Sequence, residues 1–349
     1  MVRSDGDSRP DPDDPDDPDD GDFNDSSAIG VADRAADLDP QAHAAVAEVE
    51  RLGLPEWSAL GVESARRVED EVFSAGDAPE VARVTNFAID GESGDGAAST
   101  HEIPLRVYHP EPGETRPAVA FFHGGLWAMG TLDSIDGVCR RLAVRSGRVV
   151  VSVDYRLAPE YPFPAGLDDC VRAVEWLAER GASVGADPDR VAVAGTSAGG
   201  NLAAAVCLHA REFDGPTIEK QVLLYPMTDC SADHDSLREN ADGPLLTRRD
   251  VLWAHDTYLR NPVDRYNPFA APLRADSHAD LPPAHVITAG FDPLRDEGAA
   301  YASALDAAGP DVVHDHEAAM PHGFLSLAAD VDAADAALDR VADALENEG

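Results

Sequence analysis

Lysine is almost absent from this chain: of 27 basic residues only Lys220 is one, and the rest are arginines. Against them stand 66 acidic residues, for a formal net charge of −39. A nucleic-acid binder needs basic clusters that displace counterions from phosphates, and none is visible, so no nucleic-acid partner is expected. The carboxylates are spread along the whole chain rather than gathered into one tract that would mimic nucleic acid. Dispersed acids with one lysine point to adaptation to a very salty cytoplasm. There a Debye length of about 3 Å at 1 M screens the self-repulsion of the compact state. A dedicated cationic partner is the competing reading.

Long apolar runs are missing too. No stretch reaches the roughly 18 residues that a membrane-spanning helix requires. The opening segment MVRSDGDSRPDPDDPDDPDDGD carries no apolar h-region, so it does not read as a secretory signal, and a cytoplasmic location is expected. Cysteines are few: Cys139, Cys170, Cys207 and Cys230 lie far apart with no CxxC pair. They read as free, buried thiols rather than a disulfide framework or a zinc site.

What is present suffices for a large fold. The 349 residues, 44% of them hydrophobic, can build one α/β domain with an appended subdomain. Residues 1–27 repeat Asp-Pro units that repel one another and bury nothing, which predicts a disordered tail. Order should begin near Asp37, with a helix capped by Asp39 and opened by Pro40, and a second helix over 64–73. From residue 81 onward, short β runs alternate with helical stretches. Strands are expected at 81–89, 103–110, 118–124, 148–156, 190–197, 221–227, 284–291 and 311–318. Helices are expected at 131–146, 166–180, 198–212, 294–308 and 329–346. This alternation predicts a mostly parallel eight-stranded sheet with helices on both faces and antiparallel first strands. The interval between QVLLYPM and AHVITAGF is too long for a simple crossover, and with its helical piece at 246–260 it reads as an inserted excursion.

The strongest chemical signal is RVAVAGTSAGGNLAAAV, where a buried β run ends at Gly195-Thr196-Ser197-Ala198-Gly199 and an Ala-rich helix begins at once. This is G-x-S-x-G in its strand–turn–helix context. A nucleophile on so sharp a turn leaves no room for side chains two residues either side. The helix behind it offers backbone N–H groups, that of Ala198 first, to a developing oxyanion. Upstream, another apolar run ends at His123-Gly124-Gly125-Leu126-Trp127, where the glycines let the main chain approach a substrate carbonyl.

Taken together, HGGLW (123–127), DYRLAPEYPFPAGLDDC (154–170), GTSAGGNLA (195–203), DPLRDEG (292–298) and HGF (322–324) resemble the hormone-sensitive lipase family of α/β hydrolases, in its microbial carboxylesterase branch. The resemblance spans residues 123–324. It implies an α/β-hydrolase fold with a helical cap, giving N-terminal cap helices at 28–75 and a catalytic domain at 76–349 with a cap insertion at about 232–265. It also implies an oxyanion hole from the N–H groups of Gly125, Leu126 and Ala198, with Gly124 and Trp127 against the substrate. The family motif has a third glycine where this chain has Leu126. The expectation is that Leu126 sits at negative φ and lines the acyl pocket beside Trp127, shortening it. The HGG-x-W form also resembles the arylformamidases of this fold.

A serine needs a base held by a carboxylate, and α/β hydrolases order them Ser, acid, His. His322 follows the last strand within PHGF, where a loop at the sheet's C-terminal edge would place it. Asp292 ends the run AHVITAGF, and the resemblance favours it as the acid; Asp296 and Asp229 are weaker candidates. Its competing role is that of a helix N-cap before Pro293. His314 and His316 alternate on a strand but lack an evident third ligand, so no metal is expected, and no cofactor. Asp154, Arg156 and Glu160 are expected to pair beneath the site.

The expected activity is hydrolysis of small hydrophobic esters with short to medium acyl chains, through an acyl-enzyme on Ser197. An amidase or formamidase would share every residue named. An inactive ligand-binding receptor on the same fold and a partner-binding acidic protein are alternatives of other classes, and a homodimer is open.

Overall fold

The computed structural model describes residues 33–74, 78–91, 101–231 and 233–346. The expected disordered tail at 1–27 lies outside them. Two helices come first, α1 (Pro40–Glu50) and α2 (Val62–Phe73). Asp39 caps α1 as anticipated, accepting from the N–H groups of Gln41 and Ala42, with Pro40 in the first turn where no N–H is needed.

Eight strands follow: β1 (Arg83–Asp90), β2 (Glu102–His109), β3 (Arg116–Phe122), β4 (Val149–Val153), β5 (Ala186–Thr196), β6 (Gln221–Leu224), β7 (Ala284–Phe291) and β8 (Val312–Pro321). They form one sheet in the order β1-β2-β4-β3-β5-β6-β7-β8. The pairings β1–β2 and β2–β4 are antiparallel, and every later one is parallel. This is the sheet predicted from the alternation of β and helical runs.

Helices cover both faces, because residues alternate sides along a strand. In β4 all five residues, VVVSV, are buried. Val149, Val151 and Val153 pack with α4 (Ala165–Arg180), α5 (Ala198–Glu212) and α8 (Arg295–Ala308). Val150 faces the other side, with α3 (Asp136–Ser146) and α9 (Asp332–Glu346). All four cysteines are free and buried, small apolar parts of this core.

The excursion between β6 and β7 carries α6 (Asp235–Glu239), which the sequence pattern did not suggest, and α7 (Arg248–Tyr258), which it did. Three contacts tie it to the turn that joins α1 and α2. Trp57 Nε1–H donates to Leu245 O (2.9 Å), the Ser58 N–H donates to Asp250 Oδ1 (2.8 Å), and Arg249 pairs with Glu56 (2.6 Å). Segments nearly two hundred residues apart thus meet at the C-terminal edge of the sheet.

Candidate active site

Strand β5 delivers Ser197 at the sheet's C-terminal edge, and α5 starts at the next residue. The turn between them is tight. Ser197 has φ 54° and ψ −116°, a conformation costly for any residue with a Cβ. Its N–H is held by Leu224 O (2.8 Å), and its carbonyl accepts from Asn201 N (3.1 Å) and Met227 N (3.2 Å). A Cβ on Gly199 would lie 2.0 Å from Phe122 O, and one on Gly195 would lie 2.2 Å from Gly199 O. No side chain fits at either position, so the turn requires both glycines.

His322 stands just past β8, at the turn made by Gly323 in the left-handed region. Its Nε2 lies 3.0 Å from Ser197 Oγ, and its Nδ1 lies 2.8 Å from Asp292 Oδ2. Because a carboxylate only accepts, Nδ1 carries the proton and Nε2 is left to accept from the serine hydroxyl. Asp292, at 0% exposure, divides its carboxylate: Oδ1 takes the N–H of Leu294 (2.8 Å), and Oδ2 takes the imidazole. Asp292 is not the N-cap of α8, a position held by Leu294; its Oδ1 instead braces the turn that leads into the helix. Asn240 Nδ2 holds the Asp292 carbonyl (3.0 Å), and the Tyr225 ring meets His322 edge-on with centroids 5.0 Å apart. The other acids considered lie elsewhere. Asp296 accepts from Ser236 N (2.6 Å), and Asp229 binds Arg274, Ser231 and His234.

Ser197 and His322 open onto a cleft of about 100 Å³. Gly124, Gly125 and Leu126 form one wall, and Trp57, Glu69, Phe73, Leu245 and Leu246 come from the N-terminal helices and the excursion. Ala198 lies directly behind the serine as the first residue of α5, fully buried. The His123 Nδ1–H donates to Gly124 O (2.7 Å), while the Tyr155 hydroxyl donates to His123 O (2.9 Å) with the two rings stacked. Burial pushes the His123 imidazole down to about 4, so it is neutral near pH 7.

Two expectations about this wall need correction. Leu126 does line the cleft, but at φ 56° rather than at negative φ. Trp127 shares that φ, and two successive left-handed residues turn its indole away from the cleft. It is 1% exposed and stacks on Tyr258 of α7, with ring centroids 4.2 Å apart. Trp127 thus supports the wall from behind instead of touching the space that it encloses. The ion pairs of the DYRLAPE segment also differ from expectation. Arg156 grips Asp169 of α4 (2.8 Å), while Glu160 pairs with Arg66 of α2 (2.7 Å). His314 and His316 each meet the hydroxyl of Thr288 (2.9 Å).

Residues 119–326 match the family of proteins with the alpha/beta hydrolase fold. The chain belongs to that family. It is 45% identical over 267 residues to esterase LipI of Mycobacterium tuberculosis, covering 75% of this chain and 81% of that protein. It is likewise 45% identical over 238 residues to carboxylesterase NlhH of the same organism, covering 67% of this chain and 74% of that one. Among solved structures, a thermostable esterase from Pseudomonas putida superposes with a TM-score of 0.84 at 34% identity, over 90% of this chain and 98% of that one.

Within this α/β hydrolase, several groups at the cleft were not marked by the sequence motifs, Tyr225, Glu69, Leu245 and Leu246 among them. Tyr225 follows β6 at the same sheet edge, a position that its place after an apolar run signals in hindsight. Glu69, Leu245 and Leu246 reach the cleft only because α2 and the excursion fold over the sheet, and no local pattern marks them.

Proposed function

We propose that this chain is a serine carboxylesterase in which Ser197 is the nucleophile, His322 the general base and Asp292 the residue that orients the imidazole. The observation that carries this reading is the continuous relay from Asp292 Oδ2 through His322 to Ser197 Oγ, at 2.8 and 3.0 Å. Both distances fall within hydrogen-bond reach, the geometry that general-base activation of a hydroxyl requires. Ester hydrolysis agrees with the esterases and carboxylesterases that the chain resembles.

In the proposed reaction Ser197 Oγ attacks the ester carbonyl as His322 Nε2 takes its proton. The N–H groups of Gly125, Leu126 and Ala198 serve the oxyanion. The imidazolium then protonates the departing alcohol, and water activated by the same histidine releases the acid and frees the serine. Asp292 holds the ring through Nδ1 and stabilises the imidazolium. Gly124 and Leu126 face the substrate. The N-terminal helices and the excursion act as a cap, and the small, mainly apolar cleft suits short to medium acyl chains. The branch is that of the hormone-sensitive lipases. The charge of −39 and the single lysine support a working environment of high salt, such as a salt-rich cytoplasm.

A fluorophosphonate should label the wild-type chain on Ser197, and p-nitrophenyl butyrate should be turned over. Ser197→Ala should abolish labelling and lower turnover by about 10⁶-fold, and Asp292→Asn should lower it by about 10⁴-fold. A Ser197→Ala protein that still turns over the ester at a comparable rate ends this assignment. Comparing butyrate esters with the matching amides separates an esterase from an amidase.

A further inference from the structure

The cleft contains one acid that the reaction does not use. Glu69, on α2, lines it together with Ser197 and His322 although the residue is only 8% exposed. Its surroundings supply little to satisfy a carboxyl group. The Gly130 N–H and the Ser134 hydroxyl stand beside it. The single Ser134 proton serves one acceptor at a time, and Thr131 O (3.2 Å) competes with Glu69 for it. Oε2 of Glu69 has no hydrogen-bond partner. A buried carboxyl oxygen without a donor is costly, and a wall of purely structural purpose would be better filled by a leucine or methionine.

Nor does a fixed cation compensate for it. Arg66, one turn earlier on the same helix, is committed to Ala128 O (2.8 Å), Ala158 O (3.0 Å) and Glu160 (2.7 Å). Asp70 adjoins it with like charge and receives the Thr131 hydroxyl (2.7 Å). From the segment beyond, Asp133 and Asp136 both bind Arg106. Across the cleft stand His123 and His322, and Tyr155 lies beneath. His123 is held neutral by burial, as is the Tyr155 phenol.

We propose that Glu69 determines specificity by accepting a hydrogen bond from a hydroxyl group of the substrate, so that the enzyme prefers hydroxyl-bearing carboxylic esters to their plain alkyl counterparts. The proposal rests on the active-site assignment above. A hydroxyl is the complementary group because it donates to a carboxylate and can also accept from a carboxylic acid. That matters here, since burial, reinforced by Asp70, lifts the Glu69 carboxyl to about 7 and both forms are present at neutral pH. The ionised form is the stronger acceptor, so the preference should grow as pH rises through that value.

The test compares kcat/KM of the full chain in molar KCl on two pairs of esters. Ethyl butyrate is set against 2-hydroxyethyl butyrate for the alcohol side, and against ethyl 3-hydroxybutyrate for the acyl side. In at least one pair the hydroxylated ester should lead by about ten-fold, the worth of one hydrogen bond to a charged group. Glu69→Leu should erase that ratio. Glu69→Gln should keep part of it but lose its rise between pH 6 and 8. Equal kcat/KM within both wild-type pairs, or an unchanged ratio in Glu69→Leu, overturns the proposal. Should the leucine variant fail to fold, a Glu69→Gln ratio that rises with pH as steeply as the wild type's overturns it equally. Failure of the underlying assignment has a different appearance: Ser197→Ala would still hydrolyse ethyl butyrate, a result read before any ratio is taken.

Discussion

Leu126, Trp127 and Ser197 all hold positive φ. Each costs about 1–2 kcal/mol relative to a right-handed conformation. Burial offsets that cost: Leu126 and Trp127 are 4% and 1% exposed, and burying such side chains contributes about 2–3 kcal/mol apiece. A leucine can therefore occupy a left-handed position where the family motif has glycine, because its side chain fills space that a glycine would leave empty. A second residue under tension is Glu297, 3% exposed, whose Oε1 accepts from Thr228 N (2.7 Å) and Asp229 N (3.2 Å). Despite these donors, burial lifts its carboxyl to about 8 from an ordinary value of 4.5. The folded chain then retains a proton that the unfolded chain releases. The associated stability is complete below pH 4.5 and is lost as pH rises towards 8, at up to about 1.4 kcal/mol per unit. Glu69 acts in the same direction up to about 7. Thermal melts at pH 5, 6.5 and 8 should show Glu297→Gln gaining on the wild type as pH rises. Parallel profiles would mean that Glu297 is already ionised in the folded protein.

Among the elements, α2 connects the segments that surround the cleft. Its Arg66 reaches Ala128 O, just past the HGG turn, and Ala158 O and Glu160 of the DYRLAPE segment. One side chain thereby fixes the position of Gly125 and Leu126 relative to the N-terminal helices. Arg66→Ala leaves both carbonyls without this donor and should cost about 1–3 kcal/mol in stability. It should also lower kcat more than it raises KM, because displacing the loop proposed to donate to the oxyanion harms the transition state more than the ground state. A change in KM alone would show that α2 only encloses substrate. Most element boundaries were legible beforehand. The helix over 198–212 begins and ends where the Ala-rich run does, and the cap on α1 follows from Asp39 and Pro40. The short helix α6 was not, since five residues carry no readable period.

At the scale of the molecule, −39 formal charges on 349 residues make self-repulsion the dominant electrostatic term. Arginines neutralise part of it locally, as where the buried Arg148 meets Glu219 at 2.7 Å. They are too few to do so everywhere. Raising KCl from 0.1 to 2 M shortens the Debye length from about 10 Å to below 3 Å. The melting temperature and esterase rate should both rise over that range. A melting temperature that is flat or falls with salt would contradict adaptation to high salt.

The alternation of apolar strands and helices determined the α/β sheet, because a strand buried on both faces needs helices to cover it, and that demand is written locally. The positions of Ser197 and Asp292 at strand ends were equally local, since each follows an apolar run, while His322 was marked by its place in PHGF just after the last strand. Tertiary structure alone decided which way Trp127 faces, which acid Arg156 grips, and that Glu69 borders the cleft. Those outcomes depend on contacts between segments far apart along the chain. The backbone turn at Leu126 and the packing of α2 and α7 over the sheet create them, and neither carries a periodicity that a linear pattern could express.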